Sequence, residues 1–290
     1  MDPRPSDKEV FKLYVNYYTH FLKSNRSDRL RIAYEKTLRS YIKVKFGDSP
    51  SVYDWALTIP YIFLPGRLAA GLVAAMNLRP VQNGNLLEIG CGSGNRLKFL
   101  QTLGWNCKGL DLDKTAAVKA SAKGLIIFNG RLEEQNLKSC TFDAIVSIHL
   151  IEHLPNPNAF FTEVKRILKP GGVSVSYTPN ANSFGHKLFR NSWRGLETPR
   201  HFVIFTENSL KQLLQKCGYE KIQCRSSGRG ASMLLKSLFL KKGKRGVEGV
   251  ENLSILSLIL AEIISVPEYL LSILKPKLGE ELVVIAKKPF

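Results

Sequence analysis

Nine residues, Leu86 to Gly94 (Leu-Leu-Glu-Ile-Gly-Cys-Gly-Ser-Gly), constrain this chain more than any other stretch. Leu86 and Leu87 lead through Glu88 into a turn that Gly90, Gly92 and Gly94 keep bare, and Arg96 to Leu103 then reads as a helix. The pattern is a strand, a glycine turn and a helix start. With no Cβ in the way, a ligand can lie against the unpaired main-chain N–H groups of a helix N-terminus. Such a turn suits a nucleotide-type ligand, although a tight strand-to-helix connection with no ligand would use the same residues.

The pattern then repeats. Lys108 to Asp111 reads as a second strand, Thr115 to Lys123 as a helix, Leu125 to Phe128 as a third strand and Phe142 to Ile148 as a fourth. Ala159 to Leu168 is an amphipathic helix that Lys169-Pro170-Gly171-Gly172 should end, and Val173 to Thr178 is a fifth strand. Thr206 can cap a helix running to Cys217, Ile222 to Arg225 gives a sixth strand and Glu281 to Ala286 a seventh. Strands alternating with helices predict an α/β fold: a Rossmann-like, seven-stranded, mostly parallel sheet with helices on both faces. Asp111 ends the second strand, where a carboxylate can accept hydrogen bonds from both hydroxyls of a ribose, or simply start a helix. A dinucleotide fingerprint, Gly-x-Gly-x-x-Gly, is not met, because the third glycine comes one position early and Asn95 stands in its place.

Leu86 to Gly94, with Glu88 two residues before the first glycine, resembles the first motif of the class I S-adenosylmethionine (SAM)-dependent methyltransferases. Glu152-His-Leu-Pro155 and Leu168-Lys-Pro-Gly-Gly172 are similar to further signatures of that family. The resemblance covers about Leu86 to Gly218 and the last strand, and points to the small-molecule, saccharide or ubiquinone-type O-methyltransferase branch. It implies SAM as cofactor and S-adenosylhomocysteine as product, held by Glu88, Gly90, Cys91, Gly92, Gly94, Asp111, Leu112, Leu132 and Ser147. It also implies an antiparallel last strand and N-terminal helices over the substrate side, where Tyr53 and Trp55 are lid candidates or core aromatics. One departure is Gly130-Arg131, where family members often carry Gly-Asp; Leu132 would then flank the adenine with its backbone N–H and apolar surface.

His149, Glu152 and His153 lie at the end of the fourth strand, where open α/β sheets bind ligands. Three readings compete for them. They can be structural, at the turn into the next helix. His153 or His149 can be a general base, since imidazole accepts a proton near neutral pH. Or they can bind a metal, because His149-x-x-Glu152-His153 resembles the Glu-x-x-Glu-His of small-RNA 2′-O-methyltransferases and of some ubiquinone-pathway enzymes. The ligands would be His149, Glu152, His153 and His201, and histidine in place of the first carboxylate suits zinc or iron better than magnesium. The long connection from Pro179 to His201 supplies substrate-side candidates Trp193, Arg200 and His201, unless His201 only packs the loop. The expected reaction is O-methylation without an obligatory metal, with His153 the first base and His149 and His201 behind it.

Length bounds the rest. The 290 residues, 44% of them hydrophobic, suit one catalytic domain with additions: an N-terminal helical cap (1–80), the core (81–227), a helical insertion (228–278) and the final strand (279–290). In the cap, Phe11 to Leu22, Leu30 to Tyr41 and about Gly66 to Leu78 read as helices. Five cysteines without regular spacing and a polar start predict a reducing, cytoplasmic setting. The formal charge of +18 fits nucleic acid, an anionic membrane face, acidic substrates or a solvated basic surface. Within the insertion, the apolar run from Met233 to Leu240, the basic run Lys241 to Arg245 and the apolar Leu253 to Leu274 suggest peripheral contact with the inner membrane face, a lid for a lipid-linked acceptor, or plain packing. Glu262, Pro267 and Glu268 argue against a spanning helix. Three alternatives remain: a nicotinamide oxidoreductase, disfavoured by the glycine spacing; an RNA methyltransferase, disfavoured for want of an interleaved aromatic and basic motif; and a non-catalytic SAM-binding protein at a membrane surface. Acceptor and oligomeric state stay open.

Overall fold

Leu86 and Leu87 are neighbours in β1 (Asn85–Ile89), yet they belong to different cores. Successive side chains on a strand point to opposite faces, so a strand buried on both sides reads as a continuous apolar run. Leu86 packs with Val146, Val175 and Val283, while Leu87 packs with Ile145, Phe161 and Val284. The computed structural model describes residues 28–47, 49–62, 75–79, 81–227, 233–234, 237–238, 240, 274–275 and 277–290. The expected helices at Phe11 to Leu22 and over most of Gly66 to Leu78 lie outside the described residues, as does nearly all of the 228–278 insertion with its basic and apolar runs.

After β1 come β2 (Asn106–Asp111), β3 (Ile126–Asn129), β4 (Phe142–Ile148), β5 (Leu168–Pro179), β6 (Glu220–Ser227) and β7 (Glu281–Lys287). They form one sheet in the order β3-β2-β1-β4-β5-β7-β6, in which β1 to β5 pair in parallel and β7 runs antiparallel between β5 and β6. This is the seven-stranded, mostly parallel sheet expected from the sequence. The helices are α1 (Asp28–Phe46), α2 (Val52–Ile62), α3 (Asn95–Gln101), α4 (Lys114–Ser121), α5 (Pro157–Ile167), α6 (Phe184–Phe189) and α7 (Glu207–Lys216). Helices α1 and α3 cover one face, through Leu38, Ile42, Leu97 and Leu100. Helices α5 and α7 cover the other, through Phe161, Val164, Leu210 and Leu214.

Local chemistry sets these ends. Asn156 accepts from the Ala159 N–H at 3.1 Å and Pro157 stands at the first helical position, so α5 starts where the sequence turns apolar at helical spacing. Thr206 accepts from the Ser209 N–H at 3.1 Å and starts α7. Two expectations differ from the structure. Strand β5 begins at Leu168, ahead of the Pro-Gly-Gly run, because Leu168 already pairs with Phe142 and Lys169 Nζ bridges both Asp143 oxygens at 2.8 and 2.9 Å. The stretch from Pro179 to His201 is not an irregular loop: it contains α6 and the 3₁₀ turns Arg190–Ser192 and Arg194–Leu196. The buried Glu280 gathers it, accepting from the Gly185 N–H and the Trp193 indole, while the Asn180 amide donates to the Lys277 and Gly279 carbonyls. Among the described residues no helix is long and apolar enough to cross a membrane.

Candidate active site

The glycine turn joins β1 to α3 at the ligand edge of the sheet. Gly90, Gly92 and Gly94 all have positive φ, at 76°, 52° and 72°, where a side chain is strained. Their surroundings differ. A Cβ on Gly92 would meet nothing within 4 Å, whereas one on Gly94 would come within 2.4 Å of Leu125 Cδ1 and 3.0 Å of Ala120 Cβ. Gly94 therefore lets the turn press against α4, and Gly92 leaves its outer side open. Asp111 ties the turn to β2: its Oδ2 accepts from the Gly92 N–H at 2.7 Å and its Oδ1 from the Asp113 N–H at 2.9 Å. A carboxylate oxygen can accept more than one hydrogen bond, so a ligand hydroxyl can join these donors. The helix-starting role belongs to Asp113, which accepts from Thr115 and Ala116.

Glu88 is fully buried beneath the turn. Arg96 pairs with its Oε1, while Oε2 has no hydrogen-bond partner among the described residues. Burial, against the pull of Arg96, raises its pKa. An orphaned buried acceptor beside an open glycine cradle fits a ligand that brings its own donor, as the ammonium end of SAM would. Leu112 stands 57% exposed next to Asp111 and offers an apolar surface. Leu132, by contrast, is buried with Leu87 and Leu110, so its side chain serves the core. Cys91 is buried too, and burial pushes its thiol well above the ordinary range. Ser147 bonds to Ser176 across β4 and β5 at 2.9 Å, both hydroxyls buried, so its side chain is committed to the sheet.

A second cluster forms just past β4. His149 has a positive φ of 49°, donates its N–H to the Tyr177 carbonyl, and places its ring between two carboxylates: Nδ1 lies 3.1 Å from Glu152 Oε1 and Nε2 lies 2.9 Å from Glu281 Oε1. Burial works against a charge there, but hydrogen bonds to Glu152 and Glu281 outweigh it and lift the ring to about 10. At neutral pH His149 keeps its proton and has no lone pair to act as a base. Glu152 is fully buried; its Oε2 accepts from the Thr178 hydroxyl at 3.0 Å, and its carbonyl accepts from the Phe202 N–H at 2.8 Å. That last bond draws the segment after Arg200 onto the end of β4.

His153 and His201 then meet edge to face, their ring centroids 4.5 Å apart. Each Nδ1 faces a backbone carbonyl, Arg200 at 3.1 Å for His153 and Gly195 at 2.6 Å for His201. A carbonyl can only accept, so both rings carry a proton on Nδ1, and His201 Nε2 lies 3.6 Å from Glu197 Oε2. Burial lowers His201 to about 4, which keeps it neutral. Among the described residues Glu152, His153 and His201 bring ligand atoms within 4.8 Å of one another. His149 is not in this group, since it lies on the far side of Glu152 as a cation.

The remaining substrate-side candidates scatter. Trp193 is fully buried, donates to Glu280 at 2.7 Å and stacks on His186, so it packs beneath the site and does not face a substrate. Arg200 pairs with Glu197 at 3.1 Å while its carbonyl orients His153. Tyr53 and Trp55 are half exposed on the outer side of α2. Glu281, Thr178 and Glu197 carry parts of the site that sequence reasoning missed. The adjacent carboxylates Glu280 and Glu281, opening an otherwise apolar strand, were the available signal.

Residues 63–224, more than half the chain, match the family model for a methyltransferase domain. A ubiquinone biosynthesis O-methyltransferase of Maricaulis maris is 33% identical over 112 residues, which cover 36% of this chain and 44% of that protein. A probable S-adenosylmethionine-dependent methyltransferase of Mycolicibacterium smegmatis is 32% identical over 141 residues, 47% of this chain and 52% of that one. The chain thus spans about half the length of the curated relatives it matches. The phosphoethanolamine N-methyltransferase 2 of Haemonchus contortus, solved with S-adenosyl-L-methionine, shares the fold with a TM-score of 0.53 at 17% identity, over 76% of this chain and 52% of that chain. The open glycine cradle, the orphaned Glu88 oxygen and these matches agree: the chain belongs to the class I SAM-dependent methyltransferases.

Proposed function

We propose that this protein transfers the methyl group of SAM to a hydroxyl of a small-molecule, saccharide or lipid-linked acceptor, with His153 as the base. The observation that carries this reading is the pairing of His153 Nδ1 with the Arg200 carbonyl at 3.1 Å, which fixes the imidazole just past β4, at the ligand edge of the sheet. SAM brings a methyl already activated as a sulfonium. The protein must hold the acceptor in line, exclude water and receive the hydroxyl proton. Neutral His201 against His153, and Glu152 beyond, favour the imidazolium that forms. The ubiquinone-pathway O-methyltransferases among the relatives support a hydroxyl acceptor.

A second reading rests on the same cluster. Imidazoles that bind metals usually donate their other N–H to a carbonyl or carboxylate, and His153 and His201 both do so. Glu152, His153 and His201 fit a divalent cation of zinc or iron type, which would lower the acceptor hydroxyl's pKa. Methylation of a panel of phenols, catechols and lipid-linked saccharides, with and without dialysis against a chelator, separates the two. Full activity after dialysis, lost in His153→Ala, supports the base; activity lost on dialysis and restored by metal supports the cation. Failure to bind S-adenosylhomocysteine would refute both.

A further inference from the structure

Among its described side chains, helix α2 exposes large apolar residues and buries polar ones. Val52, Trp55 and Ile59 share one side of the helix, with Tyr53 at its edge, and they are 87%, 55%, 54% and 54% exposed. On the opposite side Asp54 and Thr58 are buried, at 6% and 7%. Asp54 accepts from Ser40 Oγ of α1 at 2.7 Å and from the Ser51 N–H and Oγ at 3.0 and 2.8 Å. These bonds hold its carboxyl down to about 2, so a charged, satisfied group fixes which way the helix faces. Rotating α2 to bury its apolar side would break these bonds and leave the buried Ser40 hydroxyl without its acceptor.

Helix α1 packs on the Asp54 side of α2, reaches the edge of the exposed side at Tyr53, and is strongly basic. It carries Arg29, Arg31, Lys36, Arg39, Lys43 and Lys45 against Asp28 and Glu35. Lys36 Nζ sits 5.0 Å over the Tyr53 ring, a cation–π contact that joins the charged and apolar surfaces. Lys36, Lys43 and Ile32 are exposed on one side of α1, Lys43 also lying 3.8 Å from Asp54, while Lys45 faces Arg225 on the other side. A protein of net charge +18 would be repelled from a second copy of itself across such a face, whereas an anionic surface would be attracted. Tryptophan and tyrosine beside lysines are the side chains that settle at the headgroup level of a bilayer.

We propose that α2 docks on an anionic phospholipid surface, its Val52, Trp55 and Ile59 side entering the headgroup region and Lys36 and Lys43 of α1 pairing with lipid phosphates at its edge. The proposal does not depend on the reaction assigned above, and it places the contact at α2 and not in the 233–274 stretch. The chain itself provides the probe. Of its three tryptophans, Trp105 and Trp193 are buried and Trp55 is half exposed. The full-length protein is mixed with phosphatidylcholine vesicles with or without phosphatidylglycerol, and both flotation and quenching by bromine-labelled lipid are read. Flotation should need phosphatidylglycerol and weaken in salt, bromolipid should quench Trp55, and a Trp55→Glu/Ile59→Glu variant should bind at least about tenfold more weakly with an unchanged thermal midpoint. An Ile59→Glu variant that keeps Trp55 should weaken both flotation and quenching. Absence of flotation, flotation without Trp55 quenching, or equal flotation of the double variant would overturn the proposal. So would a marked fall in the double variant's thermal midpoint, which would show that the chain covers this face itself.

Discussion

Gly92 and Gly94 are separated by one residue and answer to different constraints. A methyl on Gly92 meets open space, so Gly92→Ala should lose only the roughly 1–2 kcal/mol of a left-handed alanine while obstructing the ligand's approach to the turn. A methyl on Gly94 strikes Leu125 and Ala120, and Gly94→Ala should add overpacking of about 1–3 kcal/mol. Urea unfolding beside calorimetric titration with S-adenosylhomocysteine distinguishes them: binding falls further for the first, stability for the second. Asp111→Ala removes the acceptor of the Gly92 N–H and should weaken that titration about 10–100-fold. At the histidine cluster, His153→Ala should lower kcat by about 10²–10⁴. His149→Gln leaves Glu152 and Glu281 without their cation and should cost about 1–3 kcal/mol, discounted because the ring is a third exposed; unchanged stability in urea would contradict the clamp.

Among the elements, α5 was the easiest to read. Its apolar residues Phe160, Phe161, Val164 and Ile167 recur at helical spacing behind an Asn-Pro start, and all four are buried. Phe161→Ala should destabilise by about 3–5 kcal/mol. Helix α2 could not be read this way, because the same stripe of Val52, Trp55 and Ile59 describes a helix facing either way. What decides is Asp54, whose partner Ser40 lies on the preceding helix. That bond predicts a pH dependence. The carboxyl titrates near 2 in the folded chain against an ordinary 3.8, so its contribution is complete above pH 4 and disappears as pH falls towards 2. Urea midpoints at pH 5 and pH 3 should differ less in Asp54→Asn than in the unaltered protein. The Pro179–His201 segment was illegible for a similar reason: its anchor, Glu280, comes 95 residues after Gly185 and 87 after Trp193, the two groups that donate to it.

At the scale of the whole molecule, the legible part is the part written in neighbouring residues. Strand and helix periodicity gave the sheet, and Leu86 to Gly94 gave the cofactor side, since the turn and Asp111 belong to adjacent units. The histidine cluster was half legible. His149, Glu152 and His153 stand together in sequence, but Glu281 and His201 reach them only through the folded sheet, and it is Glu152 and Glu281 together that turn His149 from a candidate base into a fixed cation. That dependence has a consequence during synthesis. Strand β7 sits between β5 and β6, so β6 has no neighbour to pair with until residues 281–287 have left the ribosome. A nascent chain can assemble β1 to β5 and close the glycine turn, but it must wait for its final strand to set the proton on His149. The two halves of the site should therefore mature at different times, with cofactor affinity preceding competence for the reaction.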